Sequence, residues 1–125
     1  MTLKSLHSIS YFTSVFTTGS TGYKKSTNSF IFSLRNKDNL KPFQSAVYKN
    51  SGNAVYQNPG YGPTFGGGHD LYVKDNAFTT IGSYSNFGHT YKPPTNYVYG
   101  SAEAKALLAG NYNFIPTEVE VFYLR

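Results

Sequence analysis

Short apolar runs broken by turn residues make up most of this chain, and their spacing is that of strands. Phe30-Ile31-Phe32-Ser33-Leu34 is rich in aromatic and branched residues and stops where Arg35-Asn36-Lys37-Asp38-Asn39 turns polar. It predicts a strand buried on both faces, suited to the middle of a sheet. Ala46-Val47-Tyr48 and Ala54-Val55-Tyr56 predict two more short strands, with Lys49 to Asn53 as a hairpin turn between them. Dense turn chemistry follows at Asn58-Pro59-Gly60-Tyr61-Gly62-Pro63, and Asp70-Leu71-Tyr72-Val73 predicts another strand. Residues 75–97 carry Asn, Ser, Gly and Thr together with Pro93-Pro94, which predicts an ordered loop pinned by its aromatics. One helix is expected at Ser101 to Gly110, with a capping Ser, an early Glu, strong helix formers and a Gly stop. The chain closes on Thr117 to Leu124, an expected strand with Glu118 and Glu120 on its wet face and Val119 and Val121 inside.

Composition supports a β-rich reading. Tyrosine and phenylalanine are abundant, glycine punctuates the segments, and charge is sparse, the opposite of the signature of disorder. The length of 125 residues is enough for one domain. Lys and Arg exceed Asp and Glu by five, and no acidic residue precedes Asp38. The basic residues are nevertheless scattered, with Lys24-Lys25 the one adjacent pair. A nucleic-acid footprint needs them clustered, so a solvated basic surface is expected, with no nucleic-acid partner. The absence of cysteine excludes disulfides, thiol catalysis and cysteine-based zinc sites. No apolar run has the length of a membrane span, and residues 1–20 make a poor secretory signal.

Three constellations invite chemistry. Gly66-Gly67-Gly68 leads into a strand and not a helix, so it does not fit a phosphate cradle. A tight crossing, or a backbone needing positive φ, is the reading it supports. His69, Asp70, Asp75 and His89 are the residue types of a metal site, but neighbours on a strand point to opposite faces, so His69 and Asp70 cannot share one ion. Turn-capping carboxylates and surface histidines are expected instead, with no metal and no cofactor. Glu118 and Glu120 would sit about 6.5–7 Å apart on one strand face. That separation suits paired carboxylates in glycoside hydrolysis. No nucleophile–histidine pair accompanies them, and a solvated face is the plainer account.

Four stretches taken together resemble the TLDc domain of the oxidation-resistance protein family. Ser29 to Leu34 with Asn36-Lys37-Asp38 is similar to its "aFiFSL.N" strand, and Tyr61 to Leu71 to its "GP.FGGG.DL" signature, with Gly62, Phe65, Gly66, Gly67, Gly68 and Asp70 as the matching residues. Ser83-Tyr84-Ser85-Asn86-Phe87-Gly88 with Tyr91 resembles its "SYsN.G..Y" loop, in which Ser83 and Gly88 match. Leu108-Ala109-Gly110, Phe114 and Glu118 to Phe122 resemble its closing "LaG...F...EiEVf" segment, matched at Gly110, Glu118 and Glu120. The order is right across residues 29–125.

The resemblance implies an antiparallel β-sandwich of two sheets edged by one or two short helices. It also implies a cytoplasmic, non-catalytic interaction module without a cofactor, linked to oxidative-stress protection and to binding and disassembly of the vacuolar proton-pumping ATPase. Glu118 and Glu120 then become partner contacts. A complete domain of the family opens with further strands and helices that residues 1–16 do not carry. The expected organisation is therefore an N-terminal segment and loop at 1–28, followed by a partial TLDc domain at 29–125. The strand at Phe30–Leu34 would then lack a neighbour on one side. Segment 1–16, with Ile9, Tyr11, Phe12, Val15 and Phe16, is expected to serve as a substitute strand. Two rival functions make different demands on the fold. A hydrolase would bring Glu118, Glu120, Asp70 and His69 together in a cleft, whereas a surface recognition domain would project Tyr84, Tyr91, Tyr97 and Tyr99 from one open groove onto sugars.

Overall fold

The computed structural model describes residues 7–11, 20–48 and 51–119, the first of these by strand pairing alone. Within them the elements run β1 (His7–Tyr11), β2 (Gly22–Lys24), β3 (Phe30–Arg35), β4 (Phe43–Ala46), β5 (Val55–Gln57), β6 (Thr64–Phe65), β7 (Leu71–Tyr72), β8 (Ser83–Tyr84), α1 (Ala102–Leu107) and β9 (Asn113–Phe114). They form two antiparallel sheets, one ordered β1-β3-β4 and the other β2-β5-β6-β7-β8-β9. The fold is β-rich with a single short helix among the described residues, as expected.

Strand β3 is the middle of the smaller sheet. On one side Phe32 faces Gln44 and Phe30 faces Ala46, and on the other Ile9 faces Phe32 and Tyr11 faces Phe30. The expected substitute strand is thus β1. Phe12, Val15 and Phe16 lie outside the described residues. Ile31 and Ser33 are buried on one face of β3, while Leu34, expected inside, is half exposed.

The expected 46–56 hairpin does not form. Val47 makes only an isolated bridge to Tyr91. Strand β4 pairs with β3, while β5 pairs with β2 and β6 in the other sheet. The reason is burial: Val55 and Ala54 are fully enclosed, and the β5 ladder supplies partners on both sides where a lone hairpin supplies one. The larger sheet alternates cleanly. Val55, Leu71 and Ser83 are buried, and their successors Tyr56, Tyr72 and Tyr84 turn to the other face, half buried.

One core joins the two sheets. Ile31 of the smaller sheet packs in the same cluster as Val55, Phe65 and Leu71 of the larger one, with Phe87, Tyr91, Leu107 and Leu108 completing it. Phe87 and Tyr91 come from the 75–97 loop, which is ordered and pinned by aromatics as expected, although it also holds the short β8. Phe87 stacks on Phe43 at 6.4 Å, and the Tyr91 hydroxyl donates to the Ala54 carbonyl at 2.7 Å. Each large side chain enclosed here is worth about 1.5–3 kcal/mol.

The helix starts as its sequence predicts. Ser101 Oγ accepts from the Ala104 N–H at 3.1 Å, and Ala104 and Leu107 face the core. It is shorter than expected, ending before Gly110, whose φ of +87° and N–H to the Ala106 carbonyl close the turn. The closing strand also differs. Residues 117–119 join no strand, and β9 at Asn113–Phe114 lies against β8 instead. Pro116 removes a ladder donor just ahead of this stretch. Glu118 is exposed as expected, but Val119 is exposed too. Glu120 and Val121 lie outside the described residues.

Candidate interaction site

The Gly66–Asp70 loop between β6 and β7 folds around one carboxylate. Asp70 is fully buried. Its Oδ2 accepts from the N–H groups of Gly88, Thr90 and Tyr91 at 3.0–3.1 Å, and its Oδ1 also accepts from Thr90 at 3.0 Å. The Asp70 side chain therefore holds the 88–91 turn, which carries Tyr91 into the core. Gly66, at φ +87°, lies directly on this carboxylate, and a Cβ there would overlap Asp70 Oδ1. The Gly67 N–H donates to Thr90 Oγ1 at 2.7 Å, binding the glycine run to the same turn. The expected positive φ thus falls at Gly66 and at Gly68 (+78°).

On the outer face of the larger sheet a different feature appears. Tyr23, Tyr56, Tyr61, Tyr72, Tyr84 and Tyr112 form an unbroken row of rings with successive centroids 4.9–5.7 Å apart. Cross-strand register builds it, since Tyr23 pairs with Tyr56 and Tyr72 with Tyr84. His69 sits at its centre, 5.3–6.0 Å from the rings of Tyr56, Tyr61, Tyr72 and Tyr84. Its Nδ1 lies 2.7 Å from the Tyr84 hydroxyl. Burial pushes the His69 pKa down and that of Tyr84 up. Lys105 Nζ stands 5.2 Å from the Tyr112 ring centroid, a cation at one end of the row.

A family model of the TLDc domain matches residues 4–125. The chain belongs to the TLDc domain family. No curated protein and no solved structure gives a significant match. In this TLDc chain the sequence-predicted residues divide between the clamp and its supports. Phe65 is core, packed in one cluster with Val55 and Leu71. The buried Ser83 Oγ accepts from the Lys74 N–H at 3.0 Å, and the Gly62 carbonyl accepts from Thr64 Oγ1 at 2.9 Å. Gly110 ends the helix region, and Glu118 stands apart on the surface.

Neither rival arrangement assembles among the described residues. His69 and Asp70 face opposite ways, but from the turn ahead of β7 and not from the expected strand, and among the described residues no group of three His, Asp or Glu side chains could hold a metal. The four tyrosines named for a sugar groove do not share one. Tyr91 is fully buried, Tyr97 donates to Asp38 at 2.7 Å, and Tyr84 belongs to the row. The row itself was missed, because a single tyrosine per strand becomes a row only once the register is known. A tyrosine beside each buried residue of β5, β7 and β8 was the signal available.

The Asp70 clamp makes stability depend on pH. Burial pushes its carboxyl up to about 6, and the amides of Tyr91, Thr90 and Gly88 with nearby His89 pull it back only in part. A folded-state pKa above the ordinary 3.8 means that the folded chain binds this proton more tightly than the unfolded one. The resulting stability is full below about pH 4 and is lost as pH rises towards 6. The change is on the order of 3 kcal/mol. Exposed Asp38, whose pKa is lowered by its bonds to Lys37 and Tyr97, acts in the opposite sense. Urea unfolding at pH 4 and pH 6.5 should therefore be compared with Asp70→Asn, in which the Asp38 contribution is common. The wild type should lose stability relative to the variant across this window, and equal slopes would contradict the assignment.

Proposed function

We propose that this chain is a non-catalytic protein-interaction module, and that the tyrosine row is its contact surface. The observation that carries this reading is the row itself. It crosses the outer face of the larger sheet, and its ends and middle at Tyr23, Tyr61 and Tyr112 are each more than 40% exposed. Tyrosine supplies large contact area at low entropic cost and is enriched among residues that dominate binding energy. The acids offer no comparable support for catalysis: the Asp70 oxygens are occupied by backbone amides, and Glu118 stands alone among the described residues. Family resemblance supplies the partner and the setting: the vacuolar proton-pumping ATPase, in protection against oxidative stress.

The test is an affinity measurement between the purified chain and the soluble sector of that ATPase. A variant carrying Tyr23→Ser, Tyr61→Ser and Tyr112→Ser removes the exposed rings and leaves the core intact. Binding should weaken at least tenfold, since one central aromatic commonly contributes about 2 kcal/mol. Equal affinity of the two proteins would reject the row as the contact surface, and no affinity in the wild type would reject the partner.

A further inference from the structure

One-electron oxidants find few of their usual targets in this chain. It contains no cysteine and no tryptophan, and its one methionine is Met1. The sulfur centres that ordinarily take up oxidising equivalents are thus missing from residues 2–125. Twelve tyrosines remain. A phenol gives up an electron readily only if its proton leaves at the same time, because the phenol radical cation is a very strong acid. The tyrosine whose hydroxyl meets the best base is therefore the easiest to oxidise.

Two described tyrosines have such a base. Tyr97 donates to Asp38 Oδ2, and the Tyr84 hydroxyl meets His69 Nδ1, both at 2.7 Å. The carboxylate is the poorer acceptor, since bonds from Lys37 and Tyr97 hold Asp38 below the usual range. Imidazole is more basic by a few orders of magnitude. Burial lowers the His69 pKa, which keeps the ring neutral near pH 7 and, with the proton on Nε2, leaves Nδ1 free to accept. Buried Tyr91 donates to a backbone carbonyl, which cannot take a proton. Tyr84 is also well connected. Its ring lies 5.1 Å from that of Tyr72 and 5.5 Å from that of Tyr112, inside a row whose ends are exposed.

We propose that Tyr84, hydrogen-bonded to His69, is a one-electron oxidation site into which the tyrosine row carries oxidising equivalents from its exposed ends. The step balances as follows. An oxidant of the oxyl- or peroxyl-radical class takes the hydroxyl hydrogen atom of an exposed ring at an end of the row, leaving as the alcohol or hydroperoxide and a neutral phenoxyl. Tyr84 then supplies an electron through the intervening rings to that phenoxyl, whose oxygen takes a proton from solvent. The Tyr84 O–H bond breaks, its proton moves along the hydrogen bond to His69 Nδ1, and a neutral phenoxyl radical faces an imidazolium. One electron from an enediol reductant of the ascorbate class restores the phenolate oxygen, which takes the proton back.

The experiment uses the full chain, oxidised by photogenerated tris(bipyridine)ruthenium(III) in the presence of a nitroso spin trap. Electron paramagnetic resonance reads the phenoxyl radical, and peptide mapping by mass spectrometry locates the trapped label. Most of the label is expected on Tyr84. His69→Asn keeps a residue tolerant of the left-handed backbone at this position (φ +60°) and keeps an acceptor, but it removes the base. The Tyr84 share should fall several-fold in that variant, with label passing to exposed tyrosines such as Tyr23 and Tyr61. Tyr84→Phe should disperse the label in the same way while preserving ring packing. In the wild type the Tyr84 share should also drop as pH falls and His69 takes a proton. Label distributed by exposure, or concentrated on Tyr97, overturns the proposal, as does a Tyr84 share unchanged by His69→Asn. If His69→Asn fails to melt cooperatively, the wild-type pH profile decides, and a flat profile overturns it.

Discussion

Asp70→Ala should destabilise the chain by about 3–5 kcal/mol, the range for breaking a buried charged network by removing one partner. Three backbone N–H groups, of Gly88, Thr90 and Tyr91, lose their acceptor at once in a place water does not reach. Each orphaned buried donor costs roughly 1–3 kcal/mol, and the turn will relax enough to recover part of that sum. The consequence extends beyond the turn. Tyr91 follows directly from it, fully buried, with its hydroxyl on the Ala54 carbonyl, and Ala54 borders β5. Loosening residues 88–91 therefore loosens the junction of the loop with the larger sheet. Chemical denaturation reads the loss, and hydrogen exchange at the amides of Thr90 and Tyr91 should accelerate before global unfolding. A change below about 1 kcal/mol would mean that the carboxylate is not what holds the turn.

How much of this was legible depends on whether the controlling contact was local. The helix start at Ser101 was readable because a cap is a property of a few consecutive residues. Strand β3 was readable because Phe30, Ile31 and Phe32 repeat the same demand for burial. The β1 strand followed from that demand, since a central strand requires a second neighbour. The pairing of residues 46–56 was misread, because a five-residue polar gap satisfies hairpin chemistry whether or not the flanking strands meet. Their real partners, Phe30–Ser33 for β4 and Gly22–Lys24 with Phe65 for β5, lie outside this segment. Strands β6 to β9 are two residues each, too short for alternation to register. The tyrosine row was invisible for the same reason.

The clamp occupies a middle position. The glycine run announced a backbone crossing, and the acid beside it was recognisable as a turn-capping residue, but the turn it caps is 18–21 residues away. His69 faces away from Asp70 as strand neighbours would, but it does so from a turn with a left-handed backbone, and nothing local pointed to its bond with Tyr84 across the sheet. The two faces of this one dipeptide therefore do different work. Asp70 ties the loops to the core, and His69 sits among the tyrosines of the opposite surface.

Gly66→Ala should approach the damage of Asp70→Ala, at about 2–5 kcal/mol, and the two losses should not add. Two costs fall on the new methyl. The backbone at φ +87° lies in the left-handed region, where a Cβ costs roughly 1–2 kcal/mol. The methyl also lands on the Asp70 carboxylate, an overpacking cost of about 1–3 kcal/mol. Asp70 cannot swing aside, because three amides hold it, so relief comes only by surrendering the clamp. Gly68 is the internal control. Its φ is +78°, but a Cβ there would meet its nearest neighbour, the Tyr99 hydroxyl, at an ordinary 3.7 Å. Gly68→Ala should therefore show only the backbone cost, about 1–2 kcal/mol. A double-mutant cycle separates the two contributions at Gly66. Once Asp70→Ala has emptied the space, Gly66→Ala should cost no more than Gly68→Ala does, leaving a coupling energy of about 1–3 kcal/mol between positions 66 and 70. Strictly additive losses would show that the glycine is required for its dihedral alone, and that the carboxylate does not determine what can stand beside it.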